Sequence, residues 1–419
     1  MVTFMLTNSL RLGLLSFFIS VLFIQCADPE TPLDRALKNA GPGVQDVLKE
    51  KDRYEIQIRL TEVSEKEGQL EFRTSSFQED DQFYFYPAST AKLPVAILAL
   101  QKLSALQQQG YAIDATTPFE IVDTEGKRIQ SKDTTALNQK LTIAHLIKKI
   151  FLVSDNEAYN YLFDFLGRDD INNALQKLGL KNTYLYHKFL FGADNNNTWE
   201  YRFFSPDQDT LYFQPTIPST GTGNTQELKS IFKGEGYVEN GKTVASPFDF
   251  RQKNRIALSD LEGILKRIFY PETFAENERF ALSEEDLEFL RFWMSRSTLE
   301  SNDPKYHYGD YYDSYVKFFI YGDTKGQMTD EIRIYNKVGF AYGTVTDAAY
   351  IVDQKTNTRF FLSATILVNK NQIFYDDIYE FETIGIPFLA ELGRAVLAEL
   401  TTPQAALKQQ GADVRIHPL

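Results

Sequence analysis

Strand signals stand at both ends of this chain and helical patterns fill its middle, and that order constrains the fold more than any other feature. Near the start, Tyr54, Ile56, Ile58 and Leu60 alternate with polar residues, the pattern of a half-buried strand over 54–63; residues 69–76 follow Gly68 as its hairpin partner. Residues 331–335, 348–353 and 359–368 read as strands near the other end, followed by an amphipathic helix over 381–400. Between them, 93–106 carries Leu, Ile, Val and Ala on nearly every face, which predicts a buried helix. Residues 141–151, 157–165, 259–269 and 283–294 also read as helices. Such a chain closes most simply as an α/β (α+β) fold: one antiparallel sheet built from both ends and flanked by helices, with a mostly helical lobe inserted. A cleft between the two parts is a natural place for a site.

The first 25 residues are set apart. Arg11 is their only charge, and 12–24 is an apolar run too short to span a bilayer comfortably but suited to the core of a signal peptide. Cys26, the chain's single cysteine, follows, and Phe23-Ile24-Gln25-Cys26 resembles a bacterial lipoprotein cleavage box, with Gln25 in place of the usual small residue. The expectation is a signal peptide over 1–25, lipidation at Cys26, a Pro- and Gly-bearing tether over 26–44, and a catalytic domain over 45–419. The protein would then be exported to the bacterial cell envelope (periplasm), its membrane contact limited to that anchor. A formal charge of −13 argues against nucleic acid or an anionic membrane surface as partner. The 33 Phe and 23 Tyr predict a strongly aromatic core.

A hydroxyl becomes a nucleophile near neutral pH only with a base in reach, and Ser-x-x-Lys at a helix start places the two one turn apart on one face. The lysine must be neutral to take a proton, which desolvation and a nearby second cation both favour. Three copies occur: Ser89 to Lys92, Ser230 to Lys233 and Ser314 to Lys317. Only the first follows a Pro87-Ala88 stop and leads into a fully apolar helix, so Ser89 and Lys92 are the candidate pair; the other two read as surface residues. Two further elements join it: Ser154-Asp155-Asn156 after a helix, and Lys337-Val338-Gly339-Phe340-Ala341 on a strand near the C-terminus.

Ser-x-x-Lys, Ser-Asp-Asn and Lys-Thr-Gly in this order are the set carried by class A β-lactamases and penicillin-binding proteins. The chain resembles that family over roughly 45–185 and 330–400. The resemblance implies a serine hydrolase working through an acyl-enzyme on Ser89, with Lys92 taking its proton and Ser154 passing one to the leaving nitrogen. Asn156 would bind the substrate amide, and Lys337 would supply positive potential. The backbone N–H groups of Ser89 and Phe340 would form the oxyanion hole, with Gly339 and Ala341 beside the substrate, and Asp155 would hold the turn. The substrate would be a small β-lactam or a D-Ala-containing peptide. No cofactor or metal is implied, and the four histidines are scattered without ligand spacing.

Three departures bear on activity. Val338 replaces the hydroxyl residue that helps bind the β-lactam carboxylate. Glu200 follows Trp199 on the segment where class A enzymes keep a deacylating glutamate, but Phe204 stands where an asparagine belongs. Residues 205–325 form an insertion that includes a tyrosine-rich run over 306–321, able to line a sugar or peptide groove or to pack in a core. A β-lactamase, a D-alanyl-D-alanine carboxypeptidase or esterase, and a sensor that captures a β-lactam without turnover all remain open at this point.

Overall fold

The computed structural model of the chain describes residues 30–190, 192–221, 227–307 and 309–402. The elements used below are, in chain order, helices α1 (Pro32–Asn39) and α2 (Pro42–Lys49), strands β1 (Gln57–Lys66) and β2 (Gln69–Phe77), helix α3 (Lys92–Gln108), strand β3 (Phe119–Val122), and helices α4 (Ile143–Val153) and α5 (Asn156–Leu166). Strand β4 (Glu200–Phe204), helices α6 (Leu258–Phe269) and α7 (Glu284–Ser295), strands β5 (Ile332–Ala341), β6 (Thr344–Asp353) and β7 (Thr358–Leu367), and helix α8 (Ile386–Leu400) complete the set.

The central sheet is antiparallel, ordered β5-β6-β7-β1-β2, so the two chain ends meet where β1 pairs with β7. Leu60 lies opposite Leu362 and Ile58 opposite Ala364. Because side chains alternate along a strand, the sheet feeds two cores. Tyr335, Ala348, Tyr350 and Phe361 face helices α3 to α7. Ile334, Val338, Val345, Ala349 and Ile351 face α1, α2 and α8. Helix α3 runs through the first core with every residue from Lys92 to Leu100 buried.

The segment 205–325 brings α6 and α7 to the first core, preceded by short strand pairs such as Gly236–Glu239 with Lys242–Val244. It then passes round the edge strand β5, so that Val316, Phe318 and Phe319 enter the second core. A buried network ties α6 to β1: Glu262 accepts from Thr61 Oγ1 at 2.8 Å and pairs with Arg59 at 3.2 Å and Lys266 at 2.6 Å.

Residues 1–25 and Cys26 lie outside the described residues, but 32–44, expected as tether, are folded. Helices α1 and α2 bury Leu33, Ala36, Leu37, Val44 and Val47, with Arg35 paired to Glu399 of α8 at 2.6 Å. Leu33, Ala36 and Leu37 carry helical spacing, and the prolines that suggested a linker sit in the first turn of each helix, where a missing N–H costs nothing. Among the described residues no helix is long and apolar enough to cross a membrane.

Candidate active site

Three backbone corners bring the site together. The first is the turn Ala88–Ala91 at the head of α3, which places Ser89 one turn before Lys92. Ala88 holds φ +46°, a left-handed conformation that side-chain-bearing residues rarely adopt. The second is Ser154, at φ +57° between α4 and α5. Asp155 fixes this corner, accepting from Ala158 N at 2.8 Å to cap α5 and standing 3.5 Å from the buried Lys149, which also pairs with Asp133 at 2.9 Å. The third is Gly339 on β5. A Cβ there would stand 2.6 Å from both Pro87 O and Ser89 N, so only glycine lets the strand lie on the turn that carries Ser89.

Within this frame Ser154 Oγ stands between two lysines, 2.7 Å from Lys337 Nζ and 3.3 Å from Lys92 Nζ. Lys92 also donates to Ser154 O and, at 2.6 Å, to Asn156 Oδ1. Lys337 donates to Val338 O at 2.9 Å. Both lysines are buried. Burial pulls the Lys92 amine down to about 7, with Asp155 partly opposing. Burial, and then the charge of Lys92, pulls Lys337 well below the ordinary lysine range. Two ammonium groups at most about 6 Å apart repel by roughly 3 kcal/mol at an effective dielectric near 20, so one of the pair is neutral. A neutral amine has two N–H groups; Lys92 spends both on Ser154 O and Asn156 Oδ1, leaving its lone pair open to a hydroxyl proton. Ser89 is half-buried, and its hydroxyl makes no hydrogen bond among the described residues.

Lys92, Ser154, Asn156 and Lys337 thus meet directly, with Ser89 and Gly339 against them. Phe340 is 48% exposed on the opposite side of the strand, packed on Phe318 and Phe381. Ala341 borders an aromatic cluster that includes Tyr86, Tyr342 and Phe250.

Val338 needs a correction. Its side chain is turned into the second core, on the strand face away from Lys337, so it is packed rather than exposed in the site. Glu200 is not brought to the site. It lies opposite Val122 on the outer side of β4, while its neighbours Tyr201 and Phe203 fill the core.

A residue of the segment before Glu200 does reach Lys92. The ring of Phe189 sits 5.1 Å from Lys92 Nζ, its backbone N–H donates to Asn160 Oδ1 at 2.7 Å, and it packs on Tyr159 at 4.6 Å. Asn160 lies one turn beyond Asn156 on α5, the one sequence signal that could have pointed to this contact. Next to Phe189, His187 stacks on Tyr86, with burial lowering its imidazole to about 4 and so keeping it neutral. Among the described residues no cluster of His, Cys, Asp and Glu is arranged to hold a metal ion.

The other two Ser-x-x-Lys copies are not on the surface as expected. Lys233 is buried, 2.9 Å from Ser230 Oγ and ion-paired with Glu55, which opposes the lowering of its amine by burial. Lys317 is buried at the edge of β5 and turned away from Ser314, whose hydroxyl donates to Thr324 O.

Residues 43–215 match the model of the β-lactamase enzyme family. Over those residues the chain is similar to that family. The matched span holds Ser89, Lys92, Ser154 and Asn156, and ends before most of the insertion and before Lys337. Solved structures similar to it include a β-lactamase from Sphaerobacter thermophilus, at 14% identity over 89% of this chain and 98% of that one, TM-score 0.46. A β-lactamase from Xanthomonas campestris matches at 12% identity over 89% and 100%, TM-score 0.47. The protein PBP-A matches at 16% identity over 91% and 98%, TM-score 0.47. No curated protein matches the chain.

Proposed function

We propose that this protein is a serine hydrolase that opens β-lactams or related D-Ala-type amides by forming an acyl-enzyme on Ser89, and that it releases the acyl group slowly. Ser89 Oγ attacks the carbonyl carbon while its proton passes to the lone pair of Lys92 Nζ. The oxyanion is held by the backbone N–H groups of Ser89 and Phe340, an arrangement worth about 3–4 kcal/mol per donor. The C–N bond then breaks as Ser154 gives its proton to the nitrogen, and Ser154 is reprotonated from the Lys92–Lys337 pair. Asn156 orients the substrate amide, and the lysine charge draws in an anionic substrate. The single observation that carries this reading is Ser154 Oγ within hydrogen-bond reach of both lysines.

The ring of Phe189 beside Lys92 favours slow release over efficient β-lactam hydrolysis, since an aromatic ring cannot activate water as a carboxylate in its place would. That behaviour belongs to a penicillin-binding peptidase or a β-lactam-capturing sensor more than to a fast β-lactamase. The test is incubation with a chromogenic cephalosporin and a fluorescent penicillin, with intact-mass readout of the wild type and Ser89→Ala. A lasting adduct on the wild type that is absent from Ser89→Ala supports the reading. Fast colour without adduct would make it a β-lactamase, and no adduct from any acyl donor would remove Ser89 as nucleophile.

We also propose export with lipid attachment at Cys26. Radiolabelled palmitate incorporated by the full chain and lost in Cys26→Ala would support it; equal labelling of both, or of neither, would not.

A further inference from the structure

The insertion carries a third lysine to the back of the site. Lys317 Nζ donates to Met294 O at 2.6 Å, to Ile334 O at 2.9 Å and to Asn336 Oδ1 at 2.9 Å. Three acceptors call for the three N–H groups of an ammonium, while burial pulls the Lys317 amine down to about 7 with Asp347 and Glu300 opposing. From the other end of the same amide, Asn336 Nδ2 donates to Asp347 Oδ1 at 2.9 Å and Oδ2 at 3.1 Å, and to Val316 O at 2.9 Å. Asp347 also accepts from Phe319 N at 3.2 Å, so every contact it makes is with a donor; these donors favour the ionised carboxyl against burial, which raises it to about 6. Asn336 immediately precedes Lys337, and Asp347 lies opposite Val338 on β6.

We infer that Lys317 is a positioning residue of the active site: through Asn336 and the edge of β5 it fixes the strand that carries Lys337, and with Asp347 it sets the charge Lys337 meets. This deepens the reading of Ser89 as nucleophile and gives the inserted segment a task, delivering a buried cation that the strands cannot supply themselves. The charges facing Lys337 are Lys92 from α3, Asp347 from β6 and Lys317 from the insertion. Those facing Lys317 are Asp347, Glu300, Arg333 and Asp313, the last three bordering a cavity of about 200 Å³ beside it. Lys92 faces Asp155. Two lysines, Lys317 and Lys337, therefore meet one fully buried carboxylate, Asp347, and removing either end of the Lys317–Asp347 pair must change how tightly the Lys92–Lys337 pair holds its proton.

The test uses the full chain and its Lys317→Met, Asp347→Asn and doubly substituted variants, each checked for folding by thermal unfolding. Acylation by a fluorescent penicillin is followed against pH, and ¹³Cε-labelled lysines are titrated by NMR with Lys337 assigned through Lys337→Arg. Lys317→Met moves the acidic limb of the acylation profile, and the Lys337 titration, to higher pH by about one unit; Asp347→Asn moves both to lower pH, and the double variant returns towards the wild type. A purely structural role would lower rates evenly and leave both midpoints in place, which would overturn the inference. If Lys317→Met does not fold, Asp347→Asn decides alone by the direction of its shift. If the wild type is not acylated at all, the proposed function fails while the NMR titration still answers for Lys317.

Discussion

Replacing Phe189 with glutamate tests the reason given for slow release. The ring lies beside Lys92, with its centroid 5.1 Å from Nζ and its backbone pinned by Asn160. A glutamate on the same backbone puts a carboxylate in that space, able to draw a proton from water attacking the acyl carbonyl. General-base assistance of this kind contributes about 10²–10⁴-fold, so the adduct lifetime should fall by at least two orders of magnitude. A cost comes with it: an ionised carboxylate about 5 Å from Nζ stabilises the ammonium by roughly 3 kcal/mol at an effective dielectric near 20, about two pKa units. Lys92 now sits at about 7; raised that far, it is mostly protonated at neutral pH, and acylation there should slow by about 10- to 100-fold. The assay is pulse acylation followed by intact-mass decay of the adduct, with the acylation rate measured against pH in parallel. Faster decay together with an acylation limb moved to higher pH is the expected pair of results. A folded Phe189→Glu protein whose adduct decays no faster than the wild type would refute the Phe189 ring as the cause of slow release.

Four other outcomes follow from the geometry. Lys92→Ala should abolish acylation, and undiminished labelling in that variant would remove Lys92 as base. Gly339→Ala must move backbone, because the new Cβ would meet Pro87 O and Ser89 N at 2.6 Å; a loss of about 1–3 kcal/mol in denaturant unfolding and of most acylation is expected. Glu262→Gln leaves Arg59 and Lys266 facing a neutral amide in a buried network and should cost about 3 kcal/mol or more by the same unfolding measurement. Lys92 has a folded-state value near 7 against an ordinary 10.5, so between those pH values the unfolded chain binds the extra proton and stability rises with pH; Lys92→Met should flatten that rise relative to the wild type.

The order of strand and helix signals was enough to foresee a sheet made from both chain ends, because β1 alternates and β7 is a short, mostly apolar run that follows a turn. Strand β5 was read in two pieces, 331–335 from its pattern and the stretch from Lys337 from its motif, and runs unbroken from Ile332 to Ala341. Asn336, Lys337 and Gly339 are poor strand formers, and what holds them extended is unbroken pairing with β6 from Ile332 opposite Asp353 to Ala341 opposite Thr344. Local propensity fails there because the strand carries the site. Lys233 and Lys317 were read as surface residues for a similar reason: their partners Glu55 and Asn336 lie far off in sequence or on another element, so nothing local marks them as buried. Phe189 was invisible because a loop aromatic has no pattern, and Glu200 drew attention only through its place after a tryptophan. The α1–α2 pair was missed by taking proline as a linker sign where it opened a helix.

The backbone conformations around the site bear on how it keeps its shape. Ala88, Ser154 and Tyr342 all hold positive φ, each at a junction: before the nucleophile turn, between α4 and α5, and after β5. Such residues cost of order 1–3 kcal/mol each and persist only when their surroundings over-determine them. Here they are. The Ala88 turn is pressed by Gly339, the Ser154 corner is tied by Asp155 and Lys149, and Tyr342 is packed against Tyr86 at 4.9 Å and Tyr375 at 4.6 Å. The three junctions belong to the three separate stretches of chain that carry Lys92, Ser154 and Lys337, the groups that meet at Ser154 Oγ. A proton relay tolerates little change in donor–acceptor distance, so backbone strain spread over three well-packed corners preserves that spacing better than flexible side chains on relaxed backbone would. Relaxing any one corner should therefore slow acylation more than it lowers stability.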